Sequence, residues 1–448
     1  MKGMVSARIS ELPFGVWHIR FLLIMATAWG FDAMDTGIIS FVLPKLMTEW
    51  RIGTTEIGYI GSAGLAGMAV GAAVSGMLAD RIGRKGVLVS LIILCGLASV
   101  ACGLAVNYEM LLICRFIVGV GLGGQLPVAV TLVSEYAPAS HRGRMIVWLE
   151  SAWAFGWLAA AGISYFVIPA YGWEVAFYVS ALPVLWAFYM MKAIPESVLF
   201  LQRKGRMKDA EAILEEMERN LGVACGEESS PSGSRGDNSS DASEHVGENF
   251  TLATLFSRTY IRRTLCLWVL WFGLVFSYYG IFMWLPTLLV KAGFTMVTSF
   301  TFVFWMTAAQ IPGYAAAAIL IDRIGRKITL VSFLFGCAVA AYFFGHATSE
   351  TEILLWGCLM SFFNLGAWGI IYTYTPELYP TAGRATGSGW AGACGRIGGM
   401  AAPPVVGILF GGPEDFSTVF AVFTGVLCLI GLNVWLFGPE TMHERLKS

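Results

Sequence analysis

The hexapeptide Asp80-Arg81-Ile82-Gly83-Arg84-Lys85 recurs unchanged as Asp322-Arg323-Ile324-Gly325-Arg326-Lys327, 242 residues later in the chain. The same spacing relates four further pairs, which are Pro44 and Pro286, Glu135 and Glu377, Pro138 and Pro380, and Arg142 and Arg384. Five landmarks at one spacing indicate a duplicated architecture. Each copy of the hexapeptide lies between long apolar stretches, so the duplicated unit is predicted to be a helical membrane bundle.

The composition is typical of an integral membrane protein surrounded by lipid. Charged residues make up only 13% of the 448 residues, and the mean hydropathy is +0.68, whereas about 25% charged residues is usual for a soluble domain. A net charge of −1 gives no reason to expect a nucleic-acid partner. The nine cysteines show no paired spacing, so we expect no disulfide, metal site or cofactor. We also do not expect an enzyme, because no soluble segment offers a nucleophile–base pair.

Twelve stretches approach the length of about 20 apolar residues that a helix needs to cross the hydrocarbon core. We predict spans 1 to 6 at 20–46, 56–79, 86–106, 109–136, 144–169 and 173–193, and spans 7 to 12 at 262–290, 298–321, 328–346, 352–379, 384–411 and 417–438. The expected fold is therefore all-α, with twelve transmembrane helices in two pseudo-symmetric six-helix bundles, residues 1–200 and 251–448. Between them, 201–250 is predicted to form a cytoplasmic surface helix (202–220) and a disordered tail (226–249).

The distribution of cationic residues predicts the orientation of the spans. Of the 29 lysines and arginines, Lys45, Arg51 and Lys291 flank one membrane face, Arg115 and Arg396 lie within spans, and the other 24 flank the opposite face. Excess lysine and arginine marks the cytoplasmic side. Both termini are therefore expected in the cytoplasm, as an even number of spans requires. Residues 1–13 lack the apolar region of a cleaved signal peptide, so none is expected.

Acidic and basic residues cluster at the predicted cytoplasmic ends of the helices. They are Asp80, Arg81, Arg84, Glu135 and Arg142 in the first half, and Asp322, Arg323, Arg326, Glu377 and Arg384 in the second. One interpretation is that these residues only fix the topology. The interpretation we favour is a cytoplasmic gate, whose ion pairs lock the two bundles together when the protein faces outward and part when the bundles rock.

Charged side chains within predicted spans are functional candidates, because each costs roughly 2.5–3.5 kcal/mol at a helix centre. Span 1 contains Asp32 and Asp35, one helical turn apart, span 4 contains Arg115, and span 5 contains Glu150. An aspartate of span 1 is the expected partner of Arg115. The pair could be a static brace, or it could be a proton switch in which the carboxylate takes a proton when the arginine moves away.

Arg396 in span 11 has no evident acidic partner in the second half of the sequence. It lies twelve residues after Arg384, about three turns into the span. An unpaired guanidinium there would attract an anion and could bind a carboxylate through two hydrogen bonds. The alternative is that Arg396 points toward Glu377 or the linker and only braces the gate.

The sequence resembles the major facilitator superfamily over nearly its whole length. The resemblance rests on the loop 76–85 and its second copy, on the hydrophilic linker, and on Pro-Glu-Ser at 195–197 echoed by Pro-Glu-Thr at 439–441. Longer strings at 30–35, 121–127, 276–280, 362–369 and 384–389 resemble bacterial nicotinate transporters. More distant similarity runs to aromatic-acid/proton symporters and proton-linked sugar porters.

This resemblance implies further site residues. Spans 7, 10 and 11 should line a central cavity, in which Trp368 and Tyr279 occupy ligand-contacting positions of sugar porters. Glu150 takes the place of a cavity glutamine, so it is expected either to bond a ring nitrogen or to join the gate network. Asp35 aligns with the sugar-porter aspartate and is the preferred proton carrier, although Asp32 stays open. Further candidates for substrate binding are Trp153, Tyr278, Tyr372, Gln310 and Asn364.

The function expected from these residues and this resemblance is secondary active import of a small aromatic monocarboxylate, with nicotinate as the preferred substrate, together with a proton. A symporter for hydroxybenzoate, a sugar acid or another organic anion is the alternative within carriers. A non-transporting membrane receptor on the same scaffold is the alternative of another class. We expect a monomer in a bacterial plasma (inner) membrane.

Overall fold

The computed structural model describes residues 8–9, 11–138, 141–223, 252–380 and 383–442. The predicted disordered tail, 226–249, lies outside these described residues. Spans 1 to 6 are Val16–Trp50, Thr54–Ile82, Arg84–Gly103, Tyr108–Tyr136, Arg142–Tyr171 and the pair Trp173–Ser180 and Pro183–Ala193. Spans 7 to 12 are Ile261–Lys291, the pair Met296–Ala308 and Gln310–Ile324, Arg326–Gly345, Glu350–Glu377, Arg384–Leu409 and Phe416–Phe437. The described residues also form short helices at Val198–Arg203, Met207–Leu221 and Leu252–Leu255 and a 3₁₀ helix at Pro413–Asp415.

The sequence repeat is visible in where the helices begin. Spans 2 and 8 begin at Thr54 and Met296, spans 3 and 9 at Arg84 and Arg326, and spans 5 and 11 at Arg142 and Arg384, so each pair is 242 residues apart. Local sequence therefore sets the same helix boundaries in both halves. The predicted twelve-helix, two-bundle fold is confirmed.

Span 11 is the exception to the hydropathy pattern. Eleven of the twelve spans are long and apolar enough to cross a membrane by composition, and Arg384–Leu409 is the one that is not. Its seven glycines and Arg396 lower its mean hydropathy. Its 26 residues nevertheless form one helix of about 39 Å, long enough to span.

The turn between spans 2 and 3 is built the same way as the turn between spans 8 and 9. Gly83 (φ 108°) and Gly325 (φ 97°) have backbone conformations that favour glycine. The Glu196 carboxylate accepts hydrogen bonds from the backbone N–H groups of Arg84 (2.9 Å) and Lys85 (3.2 Å). In the second half Glu440 accepts the equivalent bonds from the backbones of Arg326 and Lys327. The Pro-Glu-Ser and Pro-Glu-Thr motifs thus cap the starts of spans 3 and 9.

The predicted surface helix, 202–220, forms as two helices because the chain turns at Gly205 (φ 76°). The longer one, Met207–Leu221, buries Ala210, Leu214 and Met217 against the first bundle. We call the membrane end that carries these helices and the two hexapeptide turns the linker end, and the opposite one the far end.

The bundles meet along two related interfaces, span 2 with span 11 and span 5 with span 8, and span 1 also contacts span 7. The far end is closed. The Thr54 hydroxyl donates to the Gly407 carbonyl (2.7 Å), and an added Cβ at Gly58 would lie 2.7 Å from the Pro403 carbonyl oxygen. Phe41 also meets Phe300 edge to face across the bundles (5.0 Å between ring centroids). At the linker end, no ion pair between described residues joins the bundles.

We expect Gly83→Ala to lower thermal stability. A side chain in this essentially glycine-only region (φ 108°, ψ 153°) costs roughly 1–3 kcal/mol, and the added Cβ would also collide with the Glu196 carboxylate. Gly76→Ala is the matched control, since an added Cβ there meets nothing within 4 Å. Thermal unfolding of the purified protein in detergent measures both. Equal melting temperatures for the two variants would contradict this account of the turn.

Candidate functional site

A cavity of about 650 Å³ lies between the two bundles, lined by spans 1, 2, 4 and 5 of the first and spans 7, 8, 10 and 11 of the second. Among the described residues, spans 3, 6, 9 and 12 contribute nothing to its wall. The cavity reaches Thr375, Pro376 and Ser388, toward the linker end of spans 10 and 11. Because the far end is packed shut, this conformation faces the linker end.

Two charged residues line the cavity among those described, Glu150 from the first bundle and Arg396 from the second. Arg396 is half-buried, and its Nη1 donates to the Met68 carbonyl of span 2 across the bundle interface (3.4 Å). No carboxylate of the described residues lies within ion-pair distance of it. A guanidinium has five N–H donors, so Arg396 keeps donors for a ligand. The alternative in which it points toward Glu377 does not hold, since Glu377 pairs with Arg326 (3.4 Å).

Six aromatic side chains of the second bundle line the cavity. They are Trp271, Tyr278, Tyr279, Tyr314, Trp368 and Tyr372, and the first bundle adds Trp29 and Trp153. Trp368 packs edge to face on Tyr278 (5.6 Å between ring centroids), and its indole nitrogen has no hydrogen-bond partner. The Trp153 indole donates to the Tyr278 hydroxyl (2.9 Å), which ties span 5 to span 7. The indole N–H of Trp153 and the hydroxyl of Tyr278 are thereby occupied, while both residues still line the cavity.

Two of the predicted substrate residues lie elsewhere. Gln310 and Asn364 are fully buried and do not line the cavity. The Asn364 amide instead approaches the Cys337 sulfur of span 9 (3.7 Å). The physical reason is helical phase, since Leu365, Trp368 and Tyr372 occupy the cavity face of span 10 and Asn364 faces span 9. Gln310 starts the second half of broken span 8, where Tyr314, one turn later, reaches the cavity.

Three cavity aromatics were missed by the sequence reasoning, namely Trp29, Trp271 and Tyr314. Helical spacing could have found Trp271, which lies seven residues before the predicted Tyr278, because residues at such a spacing share a helix face. Trp29 and Tyr314 are near Asp32 and Gln310 in sequence, but Asp32 and Gln310 do not line the cavity, so spacing from them gives no signal.

Asp35 and Arg115 form a buried ion pair away from the cavity wall. The Arg115 Nη1 lies 3.3 Å from the Asp35 Oδ1, and both side chains are almost fully buried. Asp32, one turn earlier, is also buried and does not line the cavity. The expected partner of Arg115 is thus an aspartate of span 1, and it is Asp35.

The residues predicted for a cytoplasmic gate pair within each bundle at the linker end. Arg84 contacts Asp80 (2.8 Å) and Glu135 (3.6 Å). Arg326 repeats this pattern with Asp322 (3.6 Å) and Glu377 (3.4 Å). The remaining candidates differ in exposure, with Arg81, Arg142 and Arg323 exposed and two Arg384 nitrogens buried without a partner. Locking of the bundles by these residues stays a prediction for another conformation.

The comparisons with known proteins agree with this geometry. The family model described as "Sugar (and other) transporter" matches residues 32–448. The chain belongs to this transporter family of the major facilitator superfamily. It is thus an integral multi-pass membrane protein that transports a small organic substrate and is not an enzyme.

Relatives and solved structures extend over almost the whole chain. It is 48% identical to the niacin transporter NiaP of Acinetobacter baylyi, over 99% of this chain and 98% of that one. It is 32% identical to the 4-hydroxybenzoate transporter PcaK of Pseudomonas putida, over 88% and 87%. The fold matches the partially occluded inward-open structure of the xylose transporter XylE from E. coli with a TM-score of 0.75, at 17% identity, over 96% of this chain and all of that one.

The closed far end can be tested by thiol labelling. We expect a cysteine introduced by Gly389→Cys, on the cavity wall near the linker end, to react with a water-soluble maleimide. A cysteine introduced by Ser62→Cys is the control. It should stay protected, because the Ser62 hydroxyl contacts the Met400 carbonyl in the closed interface (2.5 Å). Labelling of the purified protein, after subtraction of the wild-type signal, measures both. Faster reaction of the Ser62→Cys protein would contradict the described conformation.

Proposed function

We propose that this transporter imports nicotinate together with a proton across a bacterial inner membrane, with both termini in the cytoplasm and as a monomer. The observation that carries the proposal is the Arg396 guanidinium, which faces an aromatic cavity without a carboxylate partner among the described residues. The 48% identity to a niacin transporter supports the same substrate.

The substrate carboxylate binds Arg396 in this proposal. Span 11 begins at Arg384, so Arg396 lies about 18 Å along the helix, close to its middle. A cation there is costly unless it is matched, and a planar carboxylate matches a guanidinium through two charge-assisted hydrogen bonds. Binding therefore relieves a cost that the empty site carries.

The substrate ring lies against the aromatic wall. Trp368 and Tyr279, which line the cavity from spans 10 and 7, offer ring faces or edges to a flat heterocycle. Aromatic contacts of this kind contribute roughly 0.5–1.5 kcal/mol each beyond the area they bury.

In this proposal Glu150 forms a hydrogen bond to the ring nitrogen of the substrate. It lines the cavity from the first bundle, whereas Arg396 lines it from the second. A pyridine carboxylate carries an anionic group at one edge and a hydrogen-bond acceptor at another, so it can engage both walls. A protonated Glu150 can donate to that nitrogen, which supports this role over membership of the gate network.

Proton coupling is proposed from the buried acids of span 1 and Arg115. One proton moving with one monoanion makes the step electroneutral, which lowers the cost of closing a dry cavity. The far-end contacts open and the linker-end acids and arginines of the two bundles come together when the protein turns outward.

Transport of benzoate or hydroxybenzoate is the second candidate. It is favoured by the 32% identity to a 4-hydroxybenzoate transporter, and an arginine with aromatic neighbours suits these acids as well. Glu150 is the residue that should separate the two candidates, because a benzene ring offers it no nitrogen.

We expect Arg396→Gln to weaken nicotinate binding by roughly 2–5 kcal/mol, the usual range for truncating one partner of a buried charge pair. Nicotinamide, which is uncharged, should lose much less. Calorimetric titration of the purified protein with both ligands measures the difference, and Arg396→Lys should fall between wild type and Arg396→Gln. Equal losses for both ligands would give Arg396 a structural role only.

We expect Glu150→Leu to weaken nicotinate binding by roughly 1–3 kcal/mol, the cost of an unmade buried hydrogen bond. Glu150→Gln, which keeps a donor, is the matched control and should retain most of the affinity. Displacement of bound labelled nicotinate by unlabelled nicotinate or by benzoate measures the selectivity between the two acids. If both acids lose the same affinity in Glu150→Leu, the proposed contact to the ring nitrogen is incorrect.

A further inference from the structure

The two carboxyl groups of span 1 lie in different surroundings although they are one helical turn apart. The Asp35 Oδ1 lies 3.3 Å from the Arg115 guanidinium. Its Oδ2 accepts hydrogen bonds from the Ser99 hydroxyl (3.0 Å) and the Cys95 thiol (3.5 Å). Three donors from spans 3 and 4 therefore hold Asp35 in place. Hydrogen bonds and an adjacent cation both favour the ionised form of a carboxyl.

Asp32 has none of these stabilising partners. It is 4% exposed, its Oδ2 is buried without a hydrogen bond, and no ion pair of the described residues includes it. An ionised carboxylate buried beside a second carboxylate is strongly disfavoured, so the group takes up a proton instead. With Asp35 paired to Arg115, the neutral member of the couple is Asp32.

The neighbouring spans supply no second cation for Asp32. Span 3 presents Cys95 to both acids, and span 4 presents Arg115, which is directed at Asp35 and covered by the Phe177 ring of span 6 (5.9 Å). On the other surrounding spans, the ionisable residues that line the cavity are Glu150 of span 5 and Tyr278 and Tyr279 of span 7, and no ion pair of the described residues joins a group of these spans to Asp32.

Span 4 also places Gln125 beside Asp32. Both polar atoms of the Gln125 side chain are buried without a partner of ordinary hydrogen-bond geometry. A neutral carboxyl has one O–H donor, and an amide oxygen can accept from it. Gln125 is therefore placed to share a proton carried by Asp32.

Along their helices, Asp32 and Gln125 are nearer than the buried ion pair to residues that line the cavity. On span 1, Asp32 lies between Trp29, which lines the cavity, and Asp35, which does not. On span 4, Gln125 lies between Gly123 and Leu126, which line the cavity, whereas Arg115 does not line it. Of the two acids, Asp32 is therefore the one closer along span 1 to the cavity wall.

We infer that Asp32 is the residue that takes up and releases the transported proton, with Gln125 as its positioning residue, while Asp35 is the fixed counter-ion of Arg115. This assignment reverses the sequence-based preference for Asp35. The step is a simple protonation, in which the Asp32 carboxylate accepts a proton from water on one side of the membrane and returns it to water on the other. The inference rests on the proposed proton coupling.

The test uses the full chain reconstituted in proteoliposomes with labelled nicotinate. Two rates are measured for each variant, accumulation driven by a pH gradient and counterflow exchange at equal pH. We expect Asp32→Asn to keep exchange within about twofold and to lose pH-driven accumulation. We expect Asp35→Asn to lose both, because Arg115 is left buried without its counter-ion, which is costly. Gln125→Leu should shift the pH dependence of accumulation, whereas Gln125→Asn, which keeps the amide, should shift it less.

Infrared spectroscopy gives a second measurement that does not need transport. The carbonyl stretching band of a protonated carboxyl should be present in wild type and weaker in Asp32→Asn. An unchanged band in Asp32→Asn, or an Asp35→Asn protein that exchanges nicotinate but cannot accumulate it, would overturn the assignment, as would loss of exchange in a folded Asp32→Asn protein. If wild type itself ignores the pH gradient, the proposed coupling fails instead.

Discussion

Charge in a low-dielectric interior is the constraint on which this structure depends. Each ionised side chain at a helix centre costs roughly 2.5–3.5 kcal/mol, and a protein with no use for such groups would not contain them. The structure meets the cost in two ways. Asp35 and Arg115 neutralise each other inside the first bundle, whereas Arg396 and Glu150 face a cavity where a ligand can reach them. The ion pair stabilises the first bundle, whereas the charged residues of the cavity wall favour the binding of a substrate.

Duplication explains the scaffold but not the site. The 242-residue repeat reproduces helix starts and both glycine turns, and Glu196 and Glu440 cap these turns through equivalent hydrogen bonds. At the cavity the repeat fails, because Glu150 corresponds to Gly392 and Arg396 corresponds to Ala154. The first bundle thus contributes an acidic residue to the cavity and the second bundle a basic one. A site assembled from two unlike halves binds one ligand through both, so closing either end around the ligand moves the bundles as units.

Much of the fold was predictable because it depends on local patterns. The repeated hexapeptide indicated the two bundles, and twelve spans were predicted as apolar stretches, including span 11, which is the poorest match to a membrane span by hydropathy. Arg396 and Trp368 were found as well, since a charge or a motif position singled them out. Asn364 and Gln310 were misplaced because their side chains depend on helical phase and on the break in span 8. Which end is packed shut depends on contacts such as Thr54 with Gly407, between residues too distant in sequence to be paired by pattern.

Transport in this proposal depends on charge balance: one anion crosses with one proton, so the loaded carrier gains no net charge. Uptake of labelled nicotinate into proteoliposomes, under an imposed membrane potential or an imposed pH gradient in turn, tests this directly. We predict that accumulation follows the pH gradient and does not respond to the potential. Accumulation that follows the potential and ignores the pH gradient would contradict the account.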